Sequence, residues 1–223
     1  MKFALLPIAL TLFAQAPQQP DSKPAPKAPA APATLKVGDK LPDTFSLKDL
    51  DGNPVTAQDL KGKTVCFVFW SIQCPIMIAN EHKLVALHQA LKDHKDVLLF
   101  AVNANVGELG KAPAAGDKGA YAAIRDYMKD KGMAFRVLAD HGNAVADLLA
   151  ARTTPHSFVF DKNGVLRYAG GFDDDQSGRK EQPTAYTREA IDACVAGTEV
   201  KTPTSAPWGC TIKRAGGGGR GRR

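Results

Sequence analysis

Residues 64–80 read TVCFVFWSIQCPIMIAN. The first seven form a nearly continuous apolar run rich in β-branched and aromatic side chains, the pattern of a strand buried on both faces. Cys74 follows at the exit of that strand, and Pro75 stands where a helix can begin without missing an N–H. A sulfur at a strand-to-helix junction faces the unpaired backbone N–H groups of the first helical turn, which favour thiolate over thiol. Thiolate is the form that attacks disulfides and peroxides. Three residues on stands Met77, read as an ordinary apolar contact, so no local two-cysteine bridge can form. A reactive thiol with a distant partner and a structural thiol at a strand end both remain open at this point.

Outward from this stretch, strands and helices alternate. Residues 78–93, with Leu84, Leu87 and Leu91 on one stripe, predict a helix. DVLLFAV (96–102) is a second buried strand, 105–118 a Gly/Ala-rich loop, and about 119–131 a helix. Residues 135–138 predict a strand, and 143–151 a short helix that Asn143 would cap. HSFVF (156–160) and VLRY (165–168) flank the turn Asp161-Lys162-Asn163-Gly164 and form a hairpin; 187–195 make the last helix. Upstream, Phe45-Ser46-Leu47 leads into the turn Asp51-Gly52-Asn53, a small β extension. The pattern predicts one α/β domain over 35–198, a central mixed sheet flanked by helices with a parallel portion and an antiparallel edge.

The ends differ in kind. Residues 1–16, MKFALLPIALTLFAQA, carry Lys2, an apolar stretch and Ala14-Gln15-Ala16, the pattern of a signal peptide and too short to span a membrane. Residues 17–34 are a Pro/Ala-rich linker, 199–213 an arm without helical pattern, and 214–223 a Gly/Arg tail. Three lysines against Asp21 in residues 1–34, and four arginines from Arg214 on, hold the whole formal charge of +6, so residues 35–213 are neutral. The basic balance therefore belongs to solvated ends, and no nucleic-acid partner is expected. Export, to a periplasm or outside the cell, is the expected localisation, with membrane attachment only if the signal segment is retained. Four cysteines suit such a setting and allow three complete pairings.

FSLKDLDGNPV (45–55), LKGKTVCFVFWSIQCP (60–75), FRVLAD (135–140) and TPHSFVFDKNG (154–164) resemble, in that order, the redoxin (AhpC/TSA-like) branch of the thioredoxin-like superfamily. Cys74-Pro75-Ile76, Thr154-Pro155, the aspartates after Tyr168 and GCTIK (209–213) look like an exported single-cysteine subgroup. The resemblance implies a thioredoxin-like fold. It matches Cys74 to the first cysteine of the two-cysteine redox motif, with Met77 in place of the second, and Pro155 to the cis-proline that lies against the redox sulfur. Val68 falls near where thioredoxins bury an aspartate that assists proton transfer. Against the peroxidase motif of the family, Ser71 stands for the threonine, Phe67 replaces the proline, and Arg152 is displaced from the place of the arginine.

On this resemblance the expected function is an exported thiol–disulfide oxidoreductase: Cys74 attacks, and Cys210, in the arm, resolves. Its partners are a disulfide-bearing protein or a peroxide, and a thiol reductant. Cys194–Cys210 is the competing pairing. Cys66 and Cys194 otherwise read as core, as does Trp70, which could equally cover the site. His156 is a candidate base beside Cys74, although a lone histidine at a strand start is more often only hydrogen-bonded. His82, His88 and His94, six apart, share no helix face and read as solvated. Asp173-Asp174-Asp175 read as a charged turn. Neither a cofactor nor a metal is expected. The rival readings are a thiol peroxidase and a non-catalytic copper- or partner-binding module, in which Cys74, Met77 and His156 would suit copper(I).

Overall fold

Strand β3 (Thr64–Phe69) is the centre of the sheet because both of its faces are apolar. Val65, Phe67 and Phe69 enter one core with Phe45, Phe100, Phe158 and Phe160, while Cys66, Val68 and Trp70 enter the other with Leu84, Leu87, Phe135 and Ile191. All the β3 side chains are buried. On the first face Phe67 meets Phe45 at 5.4 Å and Phe100 and Phe160 each at 5.9 Å between ring centroids. This computed structural model describes residues 34–114, 116–117 and 119–214; the expected signal peptide, nearly all of the linker and all of the Gly/Arg tail after Arg214 lie outside the described residues.

In chain order the elements are β1 (Ser46–Asp49), β2 (Pro54–Thr56), α1 (Ala57–Leu60), β3, α2 (Pro75–Leu91), β4 (Val97–Asn103), α3 (Val106–Leu109) and α4 (Ala122–Asp130). Then follow β5 (Arg136–Ala139), α5 (Ala144–Leu148), β6 (Thr153–Thr154), β7 (His156–Phe160), β8 (Leu166–Gly170), α6 (Tyr186–Ala196) and β9 (Cys210–Thr211). Seven strands form one sheet in the order β2-β1-β5-β4-β3-β7-β8, and β6 and β9 form a separate two-stranded pair. β3, β4 and β5 run parallel; β7 is antiparallel to β3, and β8 to β7. The N-terminal hairpin β1–β2 adds an antiparallel edge beside β5. The mixed sheet with helices on it is the architecture expected from the sequence.

Helix α2 begins at Pro75, three residues before the apolar periodicity announces it, because Cys74 caps it and proline occupies its first turn. It buries Met77, Asn80, Leu84, Leu87 and Leu91. The expected cap of α5, Asn143, sits instead in the left-handed region at φ 62° and donates its amide to the Ala104 carbonyl. The carboxylate that receives the first-turn amides of α5, from Val145 at 3.1 Å and Ala146 at 2.7 Å, is that of Asp140. His88 is half-buried rather than solvated, its ring nearly perpendicular to that of Phe135 with centroids 6.1 Å apart.

Candidate active site

Cys74 leaves β3 as the N-cap of α2 in extended backbone (φ −84°, ψ 111°), and its sulfur accepts the Met77 N–H at 3.3 Å. It is 3 % exposed. On its other side the sulfur lies 3.2 Å from the carbonyl oxygen of Thr154, the residue whose peptide bond to Pro155 is cis. In the dithiol form the two contacts would act on different protonation states: the amide stabilises a thiolate, whereas the carbonyl accepts from a neutral S–H.

The missing half of the pair is Cys210. β9 lies antiparallel to β6, with Cys210 opposite Thr154 and Thr211 opposite Thr153, so the arm runs along the strand that leads into the cis-proline. Cys74 and Cys210 are joined in a disulfide across a separation of 136 residues, with Cα atoms 5.7 Å apart, an ordinary spacing for such a bond. The competing Cys194–Cys210 bridge is not formed. Cys66 and Cys194 are free and buried; burial pushes the Cys66 thiol far up and that of Cys194 to about 11.

The arm is seated, not loose. Ile212 is buried and donates its N–H to the Arg152 carbonyl at 3.0 Å; the Lys213 N–H reaches Asn105 Oδ1 at 2.8 Å. Arg214 binds the Asp147 carboxylate and donates to the Ala151 carbonyl at 2.6 Å. Gly209, at φ +117°, brings the arm so close that a Cβ there would run into the Thr154 carbonyl. A flexible arm swinging its sulfur freely is therefore replaced by a docked one.

Ser71 is buried, and its hydroxyl is bonded to the Glu108 carboxylate while accepting the Gln73 N–H at 3.1 Å. Glu108 also receives the Ile72 N–H at 3.0 Å and the Asn103 amide at 2.6 Å, so one carboxylate fixes residues 71–73, the turn that delivers Cys74. Sequence reading passed over Glu108 inside what looked like a Gly/Ala loop. Its only signal is the Asn105-Val106-Gly107-Glu108 spacing of a helix start. Val68 is fully buried among apolar side chains, so no acid lies at that β3 position.

His156 pairs with Phe69 in the β3–β7 register and so faces the core of Phe67, Phe69 and Phe158, on the opposite side of the sheet from the cluster that holds Cys74. Its Nδ1 accepts the Arg152 N–H at 3.2 Å and its ring lies 4.4 Å from that of Phe158. Burial, with Arg152 nearby, lowers its pKa to about 4 and keeps the ring neutral. These contacts fit a residue that braces the 152–156 loop rather than a base for Cys74. Trp70 is fully buried against Phe135 and Tyr127 and belongs to the core.

The aspartates after Tyr168 are divided in task. Asp173 and Asp175 are buried and share Lys83, at 2.7 and 3.3 Å. The Ser177 hydroxyl, the Lys180 N–H and Lys83 hold the Asp175 carboxyl far below the usual range. Asp174 is held down to about 2 by Lys180 and Thr184. Among the described residues no group of three or more His, Cys, Asp or Glu is placed to hold a metal ion, and no helix is long and apolar enough to cross a membrane.

A parallel β3–β4–β5 core with β7 and β8 beyond it, and a cysteine capping α2 against a cis-proline loop, define a thioredoxin-like redoxin. The chain belongs to the AhpC/TSA family, which it matches over residues 37–169. Curated relatives include the thiol-disulfide oxidoreductase ResA of Bacillus cereus, 26 % identical over 132 residues, 59 % of this chain and 68 % of that protein. The thioredoxin-like protein YneN of Bacillus subtilis (strain 168) is 27 % identical over 134 residues, 60 % and 70 % of the two chains. Among solved structures, a hypothetical protein from Sinorhizobium meliloti 1021 aligns with TM-score 0.68 and 26 % identity over 83 % of this chain and 98 % of its own. An uncharacterised conserved protein from Geobacillus kaustophilus also gives TM-score 0.68 and 26 % identity, over 81 % and 93 %.

Proposed function

We propose that this protein is an exported thiol–disulfide oxidoreductase in which Cys74 is the attacking thiolate and Cys210 the resolving thiol. The observation that carries the reading is the Cys74–Cys210 disulfide laid across the cis-Pro155 loop. In the dithiol form the Met77 N–H and the start of α2 favour thiolate on Cys74. That thiolate attacks one sulfur of a substrate disulfide; the other sulfur leaves as thiolate and takes up a proton. Cys210, deprotonated, then attacks the Cys74 sulfur, expels the second substrate thiol, and leaves the Cys74–Cys210 disulfide. A thiol reductant returns the pair to the dithiol. Relatives named thiol-disulfide oxidoreductases favour this reaction class.

The substrate is a disulfide-bearing protein. Pro155 shapes the loop against the sulfur, Ser71 works through Glu108 to hold the turn before Cys74, and His156 braces the loop from the other face. Residues 1–16 act as a signal peptide and 17–34 as a linker; 35–198 form the redoxin domain, 199–213 the arm that supplies Cys210, and 214–223 a solvated tail. Neither rival reading draws a specific observation. The Arg152 hydrogen bonds to His156 and Ile212 run through its peptide group, and the copper set would have to join Cys74 and Met77 to His156 across the sheet.

The experiment is mass mapping of the cysteines after titration with dithiothreitol and after mixing with a model protein disulfide, for wild type, Cys74→Ser and Cys210→Ser. Wild type should cycle between dithiol and Cys74–Cys210 disulfide. Cys210→Ser should accumulate a mixed disulfide on Cys74, and Cys74→Ser should be inert. A Cys194–Cys210 bond together with an unreactive Cys74 would refute the assignment.

A further inference from the structure

The arm reaches Cys210 through Trp208, which lies at a junction built from three separate segments. Its indole N–H donates to the Asp173 carbonyl at 2.7 Å. Lys83 Nζ sits 5.8 Å from the centroid of its ring while binding Asp173 Oδ2 at 2.7 Å, Asp175 Oδ2 at 3.3 Å and the Asp175 carbonyl at 2.8 Å. The Lys83 side chain is 14 % exposed and both carboxylates 4 %, so the ion group is largely withdrawn from water and its geometry is held. Two glycines make room for the arm at the end of β8: a Cβ on Gly171 would come 3.1 Å from Trp208 Cδ1, and one on Gly170 would come 2.5 Å from Ser205 Oγ. Ser205 adds bonds to the Tyr168 hydroxyl at 2.6 Å and from the Gly171 N–H at 3.0 Å.

Lys83 belongs to α2, the helix whose N-cap is Cys74. The ion group therefore ties the helix that sets one sulfur to the segment that seats Trp208, two residues from the other. We infer that Trp208 is a positioning residue for the redox pair, a latch that keeps Cys210 beside Cys74 when the disulfide is open. The inference rests on the reading that this disulfide exchanges with thiols. A latched arm holds the Cys210 thiol at high effective concentration against Cys74. Without the latch the stretch leading into Cys210 is freed while Ile212 and Lys213 still hold the chain beyond it; only the dithiol state gains this freedom, because in the oxidised state the disulfide itself holds Cys210 down. Loss of the latch therefore makes the disulfide easier to reduce, a differential effect that uniform destabilisation of both states does not produce.

The test equilibrates full-length wild type, Trp208→Ala and Trp208→Phe with graded ratios of oxidised and reduced dithiothreitol, quenches with acid, and counts the Cys74–Cys210 disulfide by mass. Trp208→Ala should reach its midpoint at a roughly tenfold less reducing ratio, about 30 mV for this two-electron couple. Trp208→Phe keeps a ring on Gly171 and under Lys83 but loses the N–H, and should move by a smaller factor in the same direction. Circular dichroism on each oxidised variant checks folding, and the milder phenylalanine variant keeps the test decisive if the alanine variant fails to fold. Midpoints equal to wild type in the folded variants overturn the latch alone. A wild-type disulfide that dithiothreitol cannot open overturns the redox reading and the latch with it.

Discussion

Glu108 holds the turn that leads to Cys74. Its carboxylate receives the Ser71 hydroxyl, the Ile72 N–H and the Asn103 amide, three donors that would otherwise be left near the start of α2 without that acceptor. In Glu108→Gln one oxygen becomes an NH₂ group that cannot accept, so at least one donor is stranded. The expected cost is about 1–3 kcal/mol in urea unfolding, with slower reaction of Cys74 as the 71–73 turn loosens. His156 makes a second statement at this scale. Its ring is kept neutral with a pKa of about 4, below the ordinary 6.5 of the unfolded chain. As pH falls through 6.5 the unfolded state takes up the proton first, so stability is lost between about 6.5 and 4, by about 3 kcal/mol in all. His156→Asn keeps an acceptor in the place of Nδ1 and does not titrate there. Denaturant midpoints measured at pH 7.5 and 4.5 should differ markedly less in this variant than in wild type.

At the scale of elements, the long ones announce themselves and the short ones do not. β3 and β4 were legible because burial on both faces leaves no polar alternation, and α2 because Leu84, Leu87 and Leu91 recur at helical spacing. β6 and β9 have two residues each, too few to show any period, and exist only as partners of one another. Their pairing depends on Gly209, which combines a left-handed backbone with contact against the Thr154 carbonyl. Gly209→Ala should therefore unseat β9 at a cost of about 2 kcal/mol or more. After mild oxidation, non-reducing mass mapping should find less Cys74–Cys210 disulfide and more free Cys210 than in wild type. The cap of α5 shows the same limit: Asn143 stood in the expected place by sequence, but the buried Asp140 carboxylate reaches the amides instead.

Across the whole molecule, the disulfide closes a loop of 136 residues that contains β4, β5, β7 and β8 of the main sheet, whereas β1, β2 and β3 precede it. By chain entropy such a closure restricts the unfolded state by about 5 kcal/mol. Urea unfolding of oxidised protein should therefore occur at a clearly higher midpoint than in the presence of excess reductant. In Cys210→Ser the two curves should coincide.

The two-sided core strand, the strand–helix alternation and the cysteine at the head of α2 could all be read from the chain alone, because burial and local backbone chemistry are written in neighbouring residues. The arm could be read as the source of a second sulfur, but not whether Cys210 would meet Cys74 or Cys194. That choice was made in three dimensions, where β9 is laid along β6 and brings Cys210 to Cys74. The same packing put Glu108 against the turn before Cys74, placed His156 on the far face of the sheet, and gathered Lys83, Asp173, Asp175 and Trp208 into one junction. These contacts join segments tens of residues apart, and their geometry comes from how the sheet stacks its strands and seats the arm, which no local pattern of residues encodes.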